Sequence, residues 1–272
     1  MRALTEGWPL LIGLWVTALA AAGAARTTQR TRAAHLSRAA KVLGGDPLTV
    51  TREDLVAYVA AQEWARETRR SVTSSLRSFY GWACQEGYLE GNPALGLPRV
   101  APAAIRPRPA PEAIYRQALA AGTSRERMIL RLAAEVGLRR AEIAQVHTRD
   151  LRDDLNGWSL LVHGKGNRER VVPLTPGLAL EVRARGPGYL FPGDDGGHLS
   201  PRWVGKLATR VMPDDWTLHT LRHRFATRAY GLERDLLVVQ TILGHSSPAT
   251  TRRYVLVDDD RVRDTMRRVS NL

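Results

Sequence analysis

The sequence predicts a mainly α-helical protein with a small antiparallel sheet, built as a helical first domain and a mixed α+β second domain. Three observations carry this. Apolar residues recur at helical spacing through most of the first hundred residues and again after residue 112. Near residue 160 the pattern changes to two short strand-like runs around a glycine turn. Between the helical stretches, residues 98–111 hold five prolines and three arginines, too stiff for a helix and too polar for a core. With 272 residues, 44% of them hydrophobic, the chain is near the size at which single cores stop growing, roughly 250 to 300 residues. The expected division is a domain over 1–97, a linker over 98–111 and a second domain over 112–272.

Taken in order, the first element is the one that needs a decision, because residues 8–25 carry no charge. Export or membrane insertion is one reading. Against it, Arg2 is offset by Glu6, and Pro9, Gly13, Thr17 and Gly23 interrupt the run. Its second half is mostly alanine, whereas a spanning helix wants about 20 strongly apolar residues. The expectation is therefore a buried first helix, with Leu11, Leu14, Trp15, Ala18 and Leu19 inward and Gly23 as its stop, and no membrane partner. Residues 27–43 form a basic amphipathic helix ended by Gly44 and Gly45. Thr51-Arg-Glu-Asp54 caps a third helix carrying Leu55, Val56, Tyr58 and Val59. Residues 68–84 form a fourth, with Val72, Leu76, Phe79, Tyr80 and Ala83 inward. Arg69, Arg70 and Arg77 occupy its other side, either as a solvated face or as one that meets nucleic acid.

Beyond the linker, residues 112–121 and 125–136 read as helices, and Gly137-Leu138-Arg139 as the turn that starts another. Residues 158–163 and 170–174 read as two strands joined through Gly164-Lys165-Gly166-Asn167. His219 and Arg222 stand three residues apart, hence on one face of a helix, with His223 assigned to another face. Leu243-Gly-His245-Ser-Ser-Pro248 is a turn, with Tyr254 on the short helix after it. Asp258-Asp259-Asp260 caps a tail bearing Val262, Met266 and Val269.

The charge points to a polyanion. There are 40 Lys plus Arg against 27 Asp plus Glu, a net charge of +13, divided +6 before residue 111 and +7 after it. The single cysteine, Cys84, excludes an internal disulfide framework and a multi-cysteine zinc site, and fits a reducing, cytoplasmic setting. No Cys, Asp or Glu stands at zinc-ligand spacing around His219, and there is no phosphate-binding glycine loop, so neither a metal nor any other cofactor is expected.

Singly, each signal in the second domain is weak. Together, Arg139, Lys165, His219, Arg222, His245 and Tyr254 supply two guanidinium groups, an ammonium, two imidazoles and a phenol, a set suited to a phosphodiester. Arginines hold non-bridging phosphate oxygens bidentately and stabilise a pentacovalent transition state. A phenol with a pKa of about 10 needs a nearby base or a cationic field to act as nucleophile, and the oxygen it displaces needs an acid.

These residues carry a resemblance to the tyrosine recombinase (phage integrase) family that extends over nearly the whole chain. Gly137-Leu138-Arg139-Arg140-Ala141-Glu142-Ile143 resembles the family's first-arginine box, and Gly164-Lys165-Gly166-Asn167-Arg168-Glu169-Arg170-Val171-Val172-Pro173-Leu174 its β-hairpin lysine. His219-Thr-Leu-Arg222-His223-Arg224-Phe225-Ala226-Thr227 is similar to its histidine-arginine box, and residues 243–254 to its closing, tyrosine-bearing segment. Ala141 departs from the Ser or Gly that commonly precedes the acidic residue; its side chain is not a reacting group. A weaker resemblance in the first domain runs through Thr51-Arg-Glu-Asp-Leu55, the fourth helix and the exit at Asn92-Pro93. It matches residues 11–25 to the first helix of a core-binding domain and Arg26-Thr27-Thr28 to the turn after it. No additional arm-binding domain is expected, which favours a simple recombinase of Xer or small phage-integrase type.

The resemblance implies a core-binding domain and a catalytic domain clamped on double-stranded recombination sites, with Tyr254 attacking the scissile phosphate to give a 3′-phosphotyrosyl link. It implies that Arg139, Arg222 and His245 bind the phosphate, that Lys165 protonates the leaving 5′-oxygen, and that His219 assists proton transfer. Four protomers would work together through a Holliday junction, with the tail docking on a neighbour or packing in cis, and with room for an accessory DNA-bending or directionality factor. Two other readings share part of this chemistry: a type IB topoisomerase that only relaxes DNA, and an inactive DNA-binding regulator, which leaves the filled catalytic set unexplained.

Overall fold

The computed structural model describes residues 7–102, 107–155, 157–164 and 168–244, and the chain divides into two compact units, Met1–Ala104 and Ile105–Leu272. The first unit is helical. Helix α1 (Trp8–Ala21) enters its core through Trp8, Leu11, Ile12 and Trp15. Leu14, predicted inward, lies on the outer side, and Ile12 takes the inward place. At 14 residues the helix is about 21 Å long, short of the ~30 Å of a hydrocarbon core. Among the described residues no helix is long and apolar enough to cross a membrane.

Helix α2 (Arg26–Leu43) begins at once, so Arg26, Thr27 and Thr28, expected as a turn, are its first turn. The turn itself is made by Ala22 to Ala25, where Gly23 takes φ +74°. Gly44 ends α2, its carbonyl held by the Trp8 indole N–H at 3.0 Å. Helix α3 (Arg52–Ala60) starts at the predicted cap. The Thr51 N–H donates to Asp54 Oδ2 at 2.9 Å, and the Asp54 N–H donates to Thr51 Oγ1 at 3.2 Å. Helix α4 (Arg66–Gln85) buries Val72, Leu76, Phe79, Tyr80 and Ala83, the five residues its periodicity selects. Phe79 is the centre of the unit, stacked on Trp8 and edge-on to Trp15.

The second unit is mixed. Helices α5 (Glu112–Ala121) and α6 (Ser124–Ala134) open it, and α6 is central, burying Met128, Ile129, Leu130, Leu132, Ala133 and Ala134. After α7 (Arg140–Gln145) the chain forms a three-stranded antiparallel sheet in the order β1 (Leu151–Asp154), β2 (Gly157–His163), β3 (Glu169–Pro173). Leu160 stands opposite both Leu151 and Val172, and His163 opposite Glu169. Strand β1 escaped the sequence reading because Leu-Arg-Asp-Asp offers a single apolar residue and owes its conformation to pairing with β2. Helices α8 (Pro176–Arg183) and α9 (Pro201–Val211) follow, both with proline in the first turn, where its missing N–H costs nothing. Helix α10 (Leu218–Glu233) crosses α6, and α11 (Leu236–Leu243) packs Val239 and Leu243 against Ala226 of α10.

The proline-rich stretch is tied down at the two ends described. Arg77 of α4 donates to the carbonyls of Leu97 and Pro98 at 2.5 and 3.2 Å. Arg108 forms a bidentate pair with Asp215 at 2.5 Å and lies 4.1 Å above the Trp216 ring, while the Ala110 N–H donates to the Thr220 carbonyl.

Candidate functional site

A buried carboxylate organises the second unit. Glu142 sits three residues into α7, and its Oε2 accepts the backbone N–H of Arg139 at 2.8 Å. That contact ends the chain's extended approach and starts the helix, a reciprocal cap in which an acid at the third position satisfies an orphan N–H. Its Oε1 accepts from the Arg139 guanidinium at 2.7 Å. From β3, Arg170 approaches in a fork, Nη1 to Oε1 and Nη2 to Oε2, both at 2.9 Å. From α10, Arg222 Nη1 stands 3.7 Å from Oε2. Burial, the largest influence on Glu142, works against its charge. The Arg170 fork, the Arg139 N–H and the charges of Arg170 and Arg222 outweigh it and leave the carboxyl pushed down to about 2.

Arg222 is 1% exposed and spans the site. Its Nη1 donates to the carbonyl of Gly137 and its Nη2 to that of Leu243 at 2.8 Å. Gly137 has φ +72°, and a Cβ there would come within 2.5 Å of the Phe225 ring, so the turn before Arg139 requires glycine. Arg139 is the more open partner, its side chain 37% exposed.

His219 is one turn before Arg222 on α10, open at its outer edge. Partial removal from water, then the charges of Arg222 and Arg139, lower its pKa below the ordinary 6.5, so the imidazole is neutral at physiological pH. His223, assigned by sequence to another face, instead meets His219 edge-on with ring centroids 4.5 Å apart. Four residues is close to one helical turn, and the two rings share a face.

The remaining three sequence candidates, Lys165, His245 and Tyr254, lie outside the described residues, as does the tail after Asp258. The backbone on their flanks is described. The Gly164 N–H donates to the Arg168 carbonyl at 2.7 Å, and a Cβ on Gly164 would lie 3.8 Å from Glu142 Oε1, so the neck of the hairpin stands beside the carboxylate. Helix α11 ends at Gly244 in the left-handed conformation, φ +62°. The structure thus brings together Arg139, His219 and Arg222 of the predicted set.

Glu142 and Arg170 lie inside the sequence motifs, but neither has a role assigned from sequence. The spacing of an acid three residues after a helix-starting residue was the available signal for Glu142. For Arg170 there was none, because a basic residue on a short strand is ordinary.

In the first unit the three arginines of α4 separate. Arg69 donates to the Val59 and Gln62 carbonyls, both at 2.6 Å, and thereby closes the end of α3. Arg70, paired with Glu67 at 3.2 Å, and Arg77 line an open groove of about 720 Å³ with Arg32, Arg99 and the hydroxyls of Thr27, Thr31 and Ser74. Guanidinium groups and hydroxyls in one groove match the donors that a phosphate backbone accepts. Among the described residues, no group of three His, Cys, Asp or Glu side chains is arranged to hold a metal ion.

The profile of the phage integrase family matches residues 112–261. Tyrosine recombinase XerC of Rhodospirillum centenum is 36% identical over 232 residues, covering 76% of this chain and 67% of that protein. The XerC of Xylella fastidiosa strain 9a5c is 34% identical over 236 residues, 79% of each. Among solved structures, the lambda integrase tetramer bound to a Holliday junction matches with a TM-score of 0.74 at 18% identity, over 90% of this chain and 76% of that one. The XerH recombinase bound to its difH substrate after cleavage matches with a TM-score of 0.70 at 19% identity, over 90% of this chain and 80% of that one. Guanidinium groups gathered on one carboxylate, the helix-and-hairpin fold that gathers them and these likenesses agree, and the chain belongs to the phage integrase family of tyrosine recombinases.

Proposed function

We propose that this recombinase cuts and rejoins double-stranded DNA at specific sites through Tyr254. The phenolate attacks the scissile phosphorus, the bond to the 5′-oxygen breaks, and a 3′-phosphotyrosyl link forms while the 5′-oxygen takes a proton. In this reading Arg139, Arg222 and His245 hold the phosphate, Lys165 delivers the proton, and His219, neutral by virtue of its surroundings, assists proton transfer from Tyr254. The observation that carries the reading is the Glu142 cluster, which points Arg139 and Arg222 from separate helices at one place with His219 beside them. Fixed charges of this kind stabilise the transition state because they need no reorganisation when charge builds.

The groove lined by Arg70 and Arg77 supports a second role, backbone contacts from the first unit, so that residues 1–97 and 112–272 act as two DNA-binding domains joined by residues 98–111. We read four protomers as the working assembly, by likeness to the lambda integrase tetramer on a Holliday junction. The test is a nicked suicide duplex, selected by its binding to the wild-type protein, incubated in EDTA and run on a denaturing gel. Wild type is expected to give a protein–DNA adduct and Tyr254→Phe none. No adduct on DNA that the protein binds overturns the reading in favour of a DNA-binding regulator. On a supercoiled plasmid carrying two copies of the site, relaxed circles without exchanged products favour a topoisomerase.

A further inference from the structure

Arg170 uses every nitrogen of its guanidinium. Nη1 and Nη2 take the two oxygens of Glu142, and Nε donates to the carbonyl of Ile242 at 2.8 Å. Ile242 belongs to the last turn of α11, where carbonyls have no partner within the helix. The next carbonyl, that of Leu243, is taken by Arg222. Two arginines that face the same carboxylate therefore hold the end of α11. Immediately afterwards Gly244 turns left-handed with the Arg170 side chain against it. A Cβ at Gly244 would stand 2.8 Å from Arg170 Cδ and 3.1 Å from its Nε. The side chain is 13% exposed and planar, so the bracket is rigid and largely dry.

We infer that Arg170 is a positioning residue for DNA cleavage: it locks the Glu142 carboxylate that aims Arg139 and Arg222 to the end of the helix from which the chain continues to His245 and Tyr254. This rests on the proposed function. Without the bracket, the phosphate-holding side of the site and the nucleophile-bearing side are no longer fixed to a common part. Lysine in its place supplies one charge from one atom and cannot span the two carboxylate oxygens and the Ile242 carbonyl at once. Arg170 does not itself touch the phosphate in this arrangement, so DNA affinity should survive its loss.

The test compares full-length wild type, Arg170→Ala and Arg170→Lys on the selected nicked duplex, measuring the dissociation constant, the single-turnover rate of adduct formation and the thermal melt. Arg170→Ala is expected to bind within about threefold of wild type and to cleave roughly 100-fold more slowly, with Arg170→Lys recovering about tenfold of that loss, the scale on which a misplacement of about 1 Å acts. Cleavage within about threefold of wild type by either folded variant overturns the inference. So does a loss of binding that matches the loss of rate, which would make Arg170 a DNA contact. Unfolding of both variants assigns the residue to stability and overturns it too. Failure of wild type to form any adduct is a different result, since it removes the proposed function itself and this inference with it.

Discussion

At the scale of the residue, Glu142 decides the character of the second unit. Its folded pKa of about 2 lies below the ordinary 4.5, so the stability it contributes is present above pH 4.5 and is lost as pH falls toward 2. A depression of that size corresponds to about 3 kcal/mol at most. Melts of wild type should therefore fall across that window more steeply than melts of Glu142→Gln, which lacks the titrating group. At pH 7 the variant should be less stable by about 3 to 5 kcal/mol, because three guanidinium groups then face a neutral amide. Equal pH dependence of the two proteins would show that the carboxylate is not held as the geometry indicates. The same residue shows why part of the site was not legible. Arg139, His219 and Arg222 are weak signals singly and emerge only as members of the six-residue set and through the family resemblance, whereas Glu142 gains its role only when β3 and α10 are seen to converge on it.

At the scale of the element, α3 and α4 show how a helix becomes legible in the sequence. Helix α4 buries the five residues its pattern selects, and the Thr51 cap forms as written, because both depend on neighbours in sequence. Helix α9 does carry a local signal, the Ser200 cap, a first-turn proline and Val204, Leu207 and Ala208 at helical spacing, that the sequence analysis leaves unused. Strand β1 and helix α8, by contrast, are too short to carry a clear period and owe their order to partners distant in sequence. The exchange of Leu14 for Ile12 in α1 has the same origin: an apolar run offers several faces, and Phe79 of α4 selects one. Gly137 is where an element's start depends on one backbone angle. Gly137→Ala combines a left-handed conformation with a Cβ 2.5 Å from the Phe225 ring and should destabilise the second unit by about 2 to 4 kcal/mol. A calorimetric scan that leaves the second-unit transition within a degree of wild type would contradict it.

At the scale of the whole molecule, a net charge of +13 predicts DNA binding that weakens steeply with salt, and the arginines of α4 allow the charge to be partitioned. Arg70→Ala should lower the slope of log K against log salt by about 1 without changing the melt, since its pairing with Glu67 is exposed. Arg69→Ala should lower the melting temperature of the first unit without changing the slope, since that guanidinium is spent on the carbonyls of Val59 and Gln62. Interchanged outcomes would place the DNA on the other side of α4. The cluster in the second unit has a further consequence at this scale. One carboxylate shared by Arg139, Arg170 and Arg222 leaves these four groups together with a net charge of +2, a field that favours a tetrahedral oxyanion beside them. Sulfate or phosphate should raise the melting temperature of the second unit in wild type, by the equivalent of about 2.7 kcal/mol at 100 times its dissociation constant, and less in Arg139→Ala. On that outcome, recognising the phosphate and stiffening the second unit would be one event, so that binding DNA would also strengthen the fold that acts on it.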